Sequence, residues 1–196
     1  MPLVPSIQLY QATELVPLWQ ATEWRGLGPQ PPPFWAFAWP GSQALARYLL
    51  DNPYVVLGKR VLDFGSGSGL AAIAAARCGA REVIACDLDP LAAIAQTLNA
   101  QSNGVTLSIC TCDAVHLEVQ VDVILAGDVC YEREPAERTL SWLRHRARSC
   151  EVLIADPGRH YAPADGLEAV EVYDVPVLRE LESVDVKRTR LWRLLP

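Results

Sequence analysis

From Arg60 onward, short apolar runs alternate with helix-like stretches, the pattern of a mainly parallel sheet covered by helices on both faces. Val61 to Phe64 reads as a first strand, and the alanine-rich stretch from Leu70 to Cys78 as the helix after it. Glu82 to Cys86 is a second strand that ends in Asp87-Leu88-Asp89. Pro90 then opens a helix through Asn99, with proline at a first-turn position where its missing N–H leaves no bond unmade. After the turn Asn103-Gly104, Val105 to Cys110 is a third strand and Val121 to Ala126 a fourth. A helix from Pro135 to Arg146 leads to a fifth strand, Glu151 to Ala155. The rhythm changes after Asp156-Pro157-Gly158, where Leu167 to Val175 and Val184 to Leu195 read as two strands joined by a short connection containing Pro176. That connection is too short for a parallel crossover helix, so the pair is expected to run antiparallel at the sheet edge. The fold class that follows is α/β and Rossmann-like: a mainly parallel seven-stranded sheet with a C-terminal antiparallel strand pair. Such an ending fits a class I methyltransferase better than a dehydrogenase, whose sheet stays parallel.

The stretch to Gly41 is different. Pro29, Pro31, Pro32 and Pro33 precede Phe34, Trp35, Phe37 and Trp39. Proline at that density favours an extended segment, and the aromatic residues need a surface to pack on. Residues 1–41 are therefore expected to form a flank on the core, and residues 42–196 a single globular domain. Leu45, Tyr48 and Leu49 have helical spacing, with Ser42 as the expected N-cap.

Composition narrows the partners. The 196 residues are 51% hydrophobic and 20% charged, which suits one globular domain with a full core. A net charge of -6 argues against nucleic acid, whose phosphates call for a basic face. The run Lys187-Arg188-Thr189-Arg190 reads as a solvated strand face. No apolar run is long enough for a membrane span, and no basic residue precedes Arg25, so a cytoplasmic monomer is expected. The six cysteines read as thiols in a reducing compartment, with no disulfide framework and no metal site. Cys110 and Cys112 are close but lack further ligands at zinc spacing, and His116, His145 and His160 have no metal or nucleophile partners in the pattern.

The chemistry gathers at strand ends. Gly65, Gly67 and Gly69 give G-x-G-x-G between a strand and a helix, where backbone N–H groups can approach a ligand closely. The dinucleotide fingerprint would place its last glycine at Leu70 and fails there. Asp63 beside the turn would repel a pyrophosphate, yet it can receive the α-amino group of a methionine moiety, directly or through water. Asp87 falls at the end of the second strand, where a carboxylate can accept from both ribose hydroxyls, and Asp89 is the better helix cap. Leu88 offers an apolar surface to an adenine ring, and Asp113 a carboxylate to its amino group. The cofactor these residues imply is S-adenosylmethionine. Asp128 and Tyr131, at the carboxyl end of the fourth strand, face the methyl donor. Asp128 is expected to attract and orient a substrate ammonium, and Tyr131 to wall the channel with its ring face. A lysine amine must lose its proton before it attacks, and a carboxylate alone would hold that proton on.

These residues resemble family 16 of the seven-β-strand methyltransferases, and within it the electron-transfer-flavoprotein β-subunit lysine methyltransferase group, often labelled nicotinamide N-methyltransferase in bacteria. The resemblance is carried by Phe34-Trp35-Ala36-Phe37-Ala38-Trp39-Pro40-Gly41-Ser42-Gln43-Ala44-Leu45, by Asp63 to Gly69 and by Asp128-x-x-Tyr131. It implies a protein-lysine N-methyltransferase in which Asp128-Val129-Cys130-Tyr131 matches the D-x-x-Y/F motif, Trp39 lines the cofactor pocket and the Gly127 backbone borders it. Many members carry a tryptophan near the end of the third strand, where this chain has Cys112-Asp113-Ala114. An electron-transfer flavoprotein β subunit or a ribosomal protein is the substrate by family analogy. A nicotinamide-like small molecule is the alternative.

Overall fold

In the computed structural model, residues 2–22 and 32–196 are described. Pro29 and Pro31, in the stretch expected to be extended, lie outside them, and Phe34–Ala36 in the same stretch forms a 3-10 turn instead of extended chain, with the Phe37 N–H closing on the Phe34 carbonyl. Five parallel strands, β1 (Arg60–Phe64), β2 (Glu82–Asp87), β3 (Ser108–Thr111), β4 (Val123–Gly127) and β5 (Glu151–Asp156), join an antiparallel pair, β6 (Leu167–Pro176) and β7 (Val186–Leu194). The strand order is β3-β2-β1-β4-β5-β7-β6. β7 thus inserts between β5 and β6, antiparallel to both.

Among the described residues, the α-helices α1 (Leu15–Thr22), α2 (Pro40–Asp51), α3 (Leu70–Arg77), α4 (Pro90–Ser102), α5 (Arg133–Arg146) and α6 (Arg179–Glu182) accompany the sheet. The central strands are apolar on both faces because helices cover both. Val61, Val123, Leu125 and Leu153 turn to a core with Leu45 and Leu49 of α2 and Leu70 and Ile73 of α3. Their alternate neighbours Leu62, Ile124 and Ile154 pack on the other face with Leu143 of α5. The N-terminal segment joins the first core through Val4 and Ile7, both buried. It runs along α4, where the Gln8 and Tyr10 N–H groups donate to the side chains of Asn103 (3.0 Å) and Asn99 (2.7 Å).

Helix starts follow local chemistry. Asp89 caps α4, accepting from the Leu91 N–H at 2.8 Å, with Pro90 at the first position. α2 starts two residues before the expected Ser42 cap: Trp39 is its N-cap, Pro40 opens it, and the Ser42 hydroxyl donates back to the Trp39 carbonyl at 2.9 Å. This start is fixed by contact with the sheet. A Cβ on Gly41 would stand 2.5 Å from the Ala155 carbonyl oxygen and 2.6 Å from Asp128 Oδ2. β3 begins at Ser108 rather than Val105, because the Val105 N–H closes the end of α4 on the Ala100 carbonyl at 3.1 Å. Among the described residues, no helix is long and apolar enough to cross a membrane.

Candidate active site

The carboxyl ends of β1, β2 and β4 open onto a cavity of about 800 Å³, the size range of a cofactor pocket. Trp39, Gly65, Gly67, Asp87, Leu88, Asp113, Gly127, Asp128 and Tyr131 all line it. Gly65 and Gly67 hold φ of 63° and 52°, a left-handed backbone that side chains rarely adopt, and this bends the turn around the cavity floor. Asp87 braces the turn: Oδ2 accepts from the Gly67 N–H at 2.8 Å and Oδ1 from the Asp89 N–H at 3.0 Å. Each oxygen keeps a second lone pair for a ligand hydroxyl. Leu88 is 68% exposed beside it, an apolar surface that a planar ring would cover.

Asp63 lies beneath the turn. Its Oδ2 accepts from the Ser66 hydroxyl (2.6 Å) and the Ala72 N–H (3.0 Å), tying β1 to the start of α3. Burial raises its carboxyl to about 7 against those two bonds, with nearby Asp87 adding to the rise. Asp113 caps a short turn, accepting from the Val115 N–H at 3.2 Å, and pairs with Arg138, another lining residue. A cavity of this size, with glycine turns, a carboxylate that keeps free lone pairs and an apolar ledge, fits S-adenosylmethionine.

The far end of the cavity is aromatic and ionic. Phe34 stands 5.6 Å from Trp39 and 5.5 Å from Tyr131, centroid to centroid, and the Trp39 indole N–H donates to the Phe34 carbonyl at 2.8 Å. Tyr131 is 52% exposed at the mouth, whereas Asp128 is buried and holds φ of 56°. The Asp128 carboxylate is already engaged: Oδ2 accepts from the Gly41 N–H, and Oδ1 from Arg159 Nε (3.0 Å) and Nη2 (2.8 Å). Arg159 also donates from Nη1 to Glu182 at 3.0 Å, and its guanidinium carbon lies 5.8 Å from the centre of the Trp39 ring. Burial raises the Asp128 carboxyl to about 7, with Arg159 pulling it back. Burial alone would lower the Arg159 guanidinium, and its bonds to Glu182 and Asp128 raise it instead.

Asp63, expected to receive a methionine α-amino group, is buried beneath the turn and does not line the cavity, because the Ser66 hydroxyl and the Ala72 N–H hold it there. Two further features depart from the sequence reading. Cys110 and Cys112 are joined as a disulfide, which corrects the expectation that all six cysteines are thiols. The chain makes this possible because β3 ends there, and the bend at its end brings the two Cα atoms to 5.7 Å. Cys86 on β2 stands 3.7 Å from the Cys112 sulfur, and Cys86 and Cys112 both line the cavity. The second feature is Arg159, which sequence reasoning did not single out. Its position just after Asp156-Pro157-Gly158 at the carboxyl end of β5 was the available signal.

A model of the ribosomal protein L11 methyltransferase family matches residues 44–129. The electron transfer flavoprotein beta subunit lysine methyltransferase of Mus musculus is 38% identical over 99% of this chain and 78% of its own length. The chain belongs to that family. The Homo sapiens member is 44% identical over 80% of this chain, and the match spans only 61% of its length. Against members of the electron transfer flavoprotein beta subunit lysine methyltransferase family, the chain therefore covers about three-fifths to four-fifths of their length. The fold is shared with magnesium protoporphyrin IX methyltransferase from Synechocystis, solved with S-adenosylmethionine bound, at a TM-score of 0.57 and 16% identity, covering 78% of this chain and 79% of that one.

Proposed function

We propose that this chain binds S-adenosylmethionine in the cavity and transfers its methyl group to a lysine side-chain amine of a protein. One observation carries the amine: the acceptor end is walled by the rings of Phe34, Trp39 and Tyr131 beside the buried Asp128–Arg159 pair, a setting that receives an amine on an aliphatic stem. The lysine methyltransferase activity of the relatives favours a protein lysine over a nicotinamide-like small molecule.

When bound, S-adenosylmethionine supplies an electrophilic methyl group on a sulfonium. The chain's own residues do the rest. Gly65 and Gly67 bring backbone to the methionine end, Asp63 secures the turn beneath it, and Asp87 accepts from the ribose. Leu88 and Asp113 would bound the adenine end, and Gly127 lines the same cavity beside Asp128. Asp128, Trp39 and Tyr131 would align the incoming nitrogen at an end of the cavity that the half-exposed Tyr131 leaves open to water. The ammonium would first lose a proton to water; the neutral amine would then form the N–C bond as the S–C bond broke, with the pair left on sulfur, to give the methylated ammonium and S-adenosylhomocysteine. No covalent enzyme intermediate is needed, because positioning supplies the rate.

The electron transfer flavoprotein β subunit is the first candidate substrate, on the strength of the relatives' activity. A ribosomal protein is the second, on the strength of the family model that matches residues 44–129. We place the chain in the cytoplasm as a monomer, in keeping with an acidic net charge and with no helix among the described residues long and apolar enough to cross a membrane; cell fractionation and sedimentation test both. Incubation with methyl-labelled S-adenosylmethionine and a cell extract tests the reaction. Label on a protein lysine supports it, and label confined to a small molecule overturns it.

A further inference from the structure

A buried carboxylate beside the acceptor site poses a problem for N-methylation. The attacking amine must be neutral, yet an unaccompanied carboxylate would pair with the ammonium and hold its proton on. The structure shows that Asp128 is not unaccompanied. Asp156, at the end of β5, accepts from the Gly158 N–H (2.7 Å) and the Arg159 N–H (2.6 Å), which fixes the backbone that carries the guanidinium. Glu182 at the end of α6 holds the other side of that guanidinium and is itself 3.3 Å from Lys187 Nζ on β7. The charged groups packed around the Asp128 end are Asp128, Asp156 and Glu182 against Arg159 and Lys187, with Glu132 lining the cavity beside Tyr131. Tyr131 stands at the mouth.

We infer that Arg159 is a positioning residue for methyl transfer: clamped between Asp128 and Glu182 over Trp39, it neutralises the Asp128 charge, so that an acceptor amine sheds its proton to water and stays nucleophilic. The inference rests on reading the site as an amine methyltransferase. Three features of the geometry support it. Arg159 directs both Nε and Nη2 at Oδ1, so two charge-assisted hydrogen bonds converge on that one oxygen. The Gly41 N–H occupies one lone pair of Oδ2, so both oxygens already share their charge with donors of the chain. Arg159 also lines the cavity, so its charge is felt where the methyl group is transferred.

Sinefungin tests this, because it carries an amine in place of the sulfonium methyl and so delivers a nitrogen to the transfer point without any protein substrate. Its binding is compared by calorimetry with that of S-adenosylhomocysteine, in pairs of buffers of different ionisation enthalpy. At pH 7 the unaltered chain should release about one proton more with sinefungin than with S-adenosylhomocysteine, since an amine with a solution pKa well above 7 becomes neutral in the site. Arg159→Gln should abolish the extra release and tighten sinefungin about tenfold relative to S-adenosylhomocysteine, one pKa unit's worth of preference for the ammonium. Arg159→Lys, which keeps the charge, should restore the release. Equal proton release with both ligands in the unaltered chain overturns the inference, whatever the variants do. An unchanged affinity ratio in a folded Arg159→Gln chain overturns it equally. Failure to bind either ligand would instead overturn the cofactor reading, and the inference with it.

Discussion

Asp63 and Asp128 are both buried carboxyls raised to about 7, yet they do different work. Asp63 touches only its own turn and helix start, and burial favours its protonated form. The stability this contributes is complete below the usual 3.8 and is lost as pH rises through about 7. Asp63→Asn, which keeps the neutral shape, should therefore gain on the unaltered chain as pH rises from about 4 to about 7, by at most a few kcal/mol. Denaturant titrations across that range measure it. A constant difference would mean that Asp63 is not buried as a strained carboxylate. Asp128→Asn keeps an oxygen for Gly41 but removes the charge that Arg159 grips, so kcat should fall about a hundredfold with little change in S-adenosylhomocysteine affinity. Single-turnover rates and calorimetry separate the two.

Elements place these residues, and the placement depends on close approach. α2 lies against β4 and β5 because residue 41 has no side chain, and the same approach lets the Gly41 N–H reach Asp128. Gly41→Ala should lower stability by about 2 kcal/mol or more, seen as an earlier thermal melt, and should weaken activity through Asp128. The strand and helix order was legible in the sequence because buried parallel strands and alanine-rich helices write periodic patterns. So was the Gly65–Gly67 turn with Asp87, since those groups lie close in the chain or at strand ends. The start of α2 was not legible: Ser42 is a good cap by type, but docking on the sheet chose Trp39. The start of β3 was not either, because Val105 belongs to an apolar run that reads equally as strand or as the close of a helix. The Arg159 clamp joins residues 31 and 23 positions apart, and no local pattern records such a pairing. The Cys110–Cys112 bond was missed because spacing alone says nothing about the bend that joins the two.

At the scale of the molecule, the sheet presents one working edge, and the N-terminal segment is built into the body that supports it. Val4 and Ile7 are buried in the same core as α2 and α3. Removing residues 1–12 should cost on the order of 3 kcal/mol from those two side chains, measured by denaturant unfolding. The antiparallel β6 and β7 bring α6 and Glu182 back to the acceptor end, so the last third of the chain completes a site begun by β1. The central claim is that this site methylates a lysine amine. The most direct measurement combines the purified chain, S-adenosylmethionine and purified electron transfer flavoprotein β subunit, followed by peptide mapping of the product by mass spectrometry. The account predicts methyl groups on a lysine ε-nitrogen, lost with Asp128→Asn. An unmodified protein beside a methylated nicotinamide, when both acceptors are offered together, would contradict it.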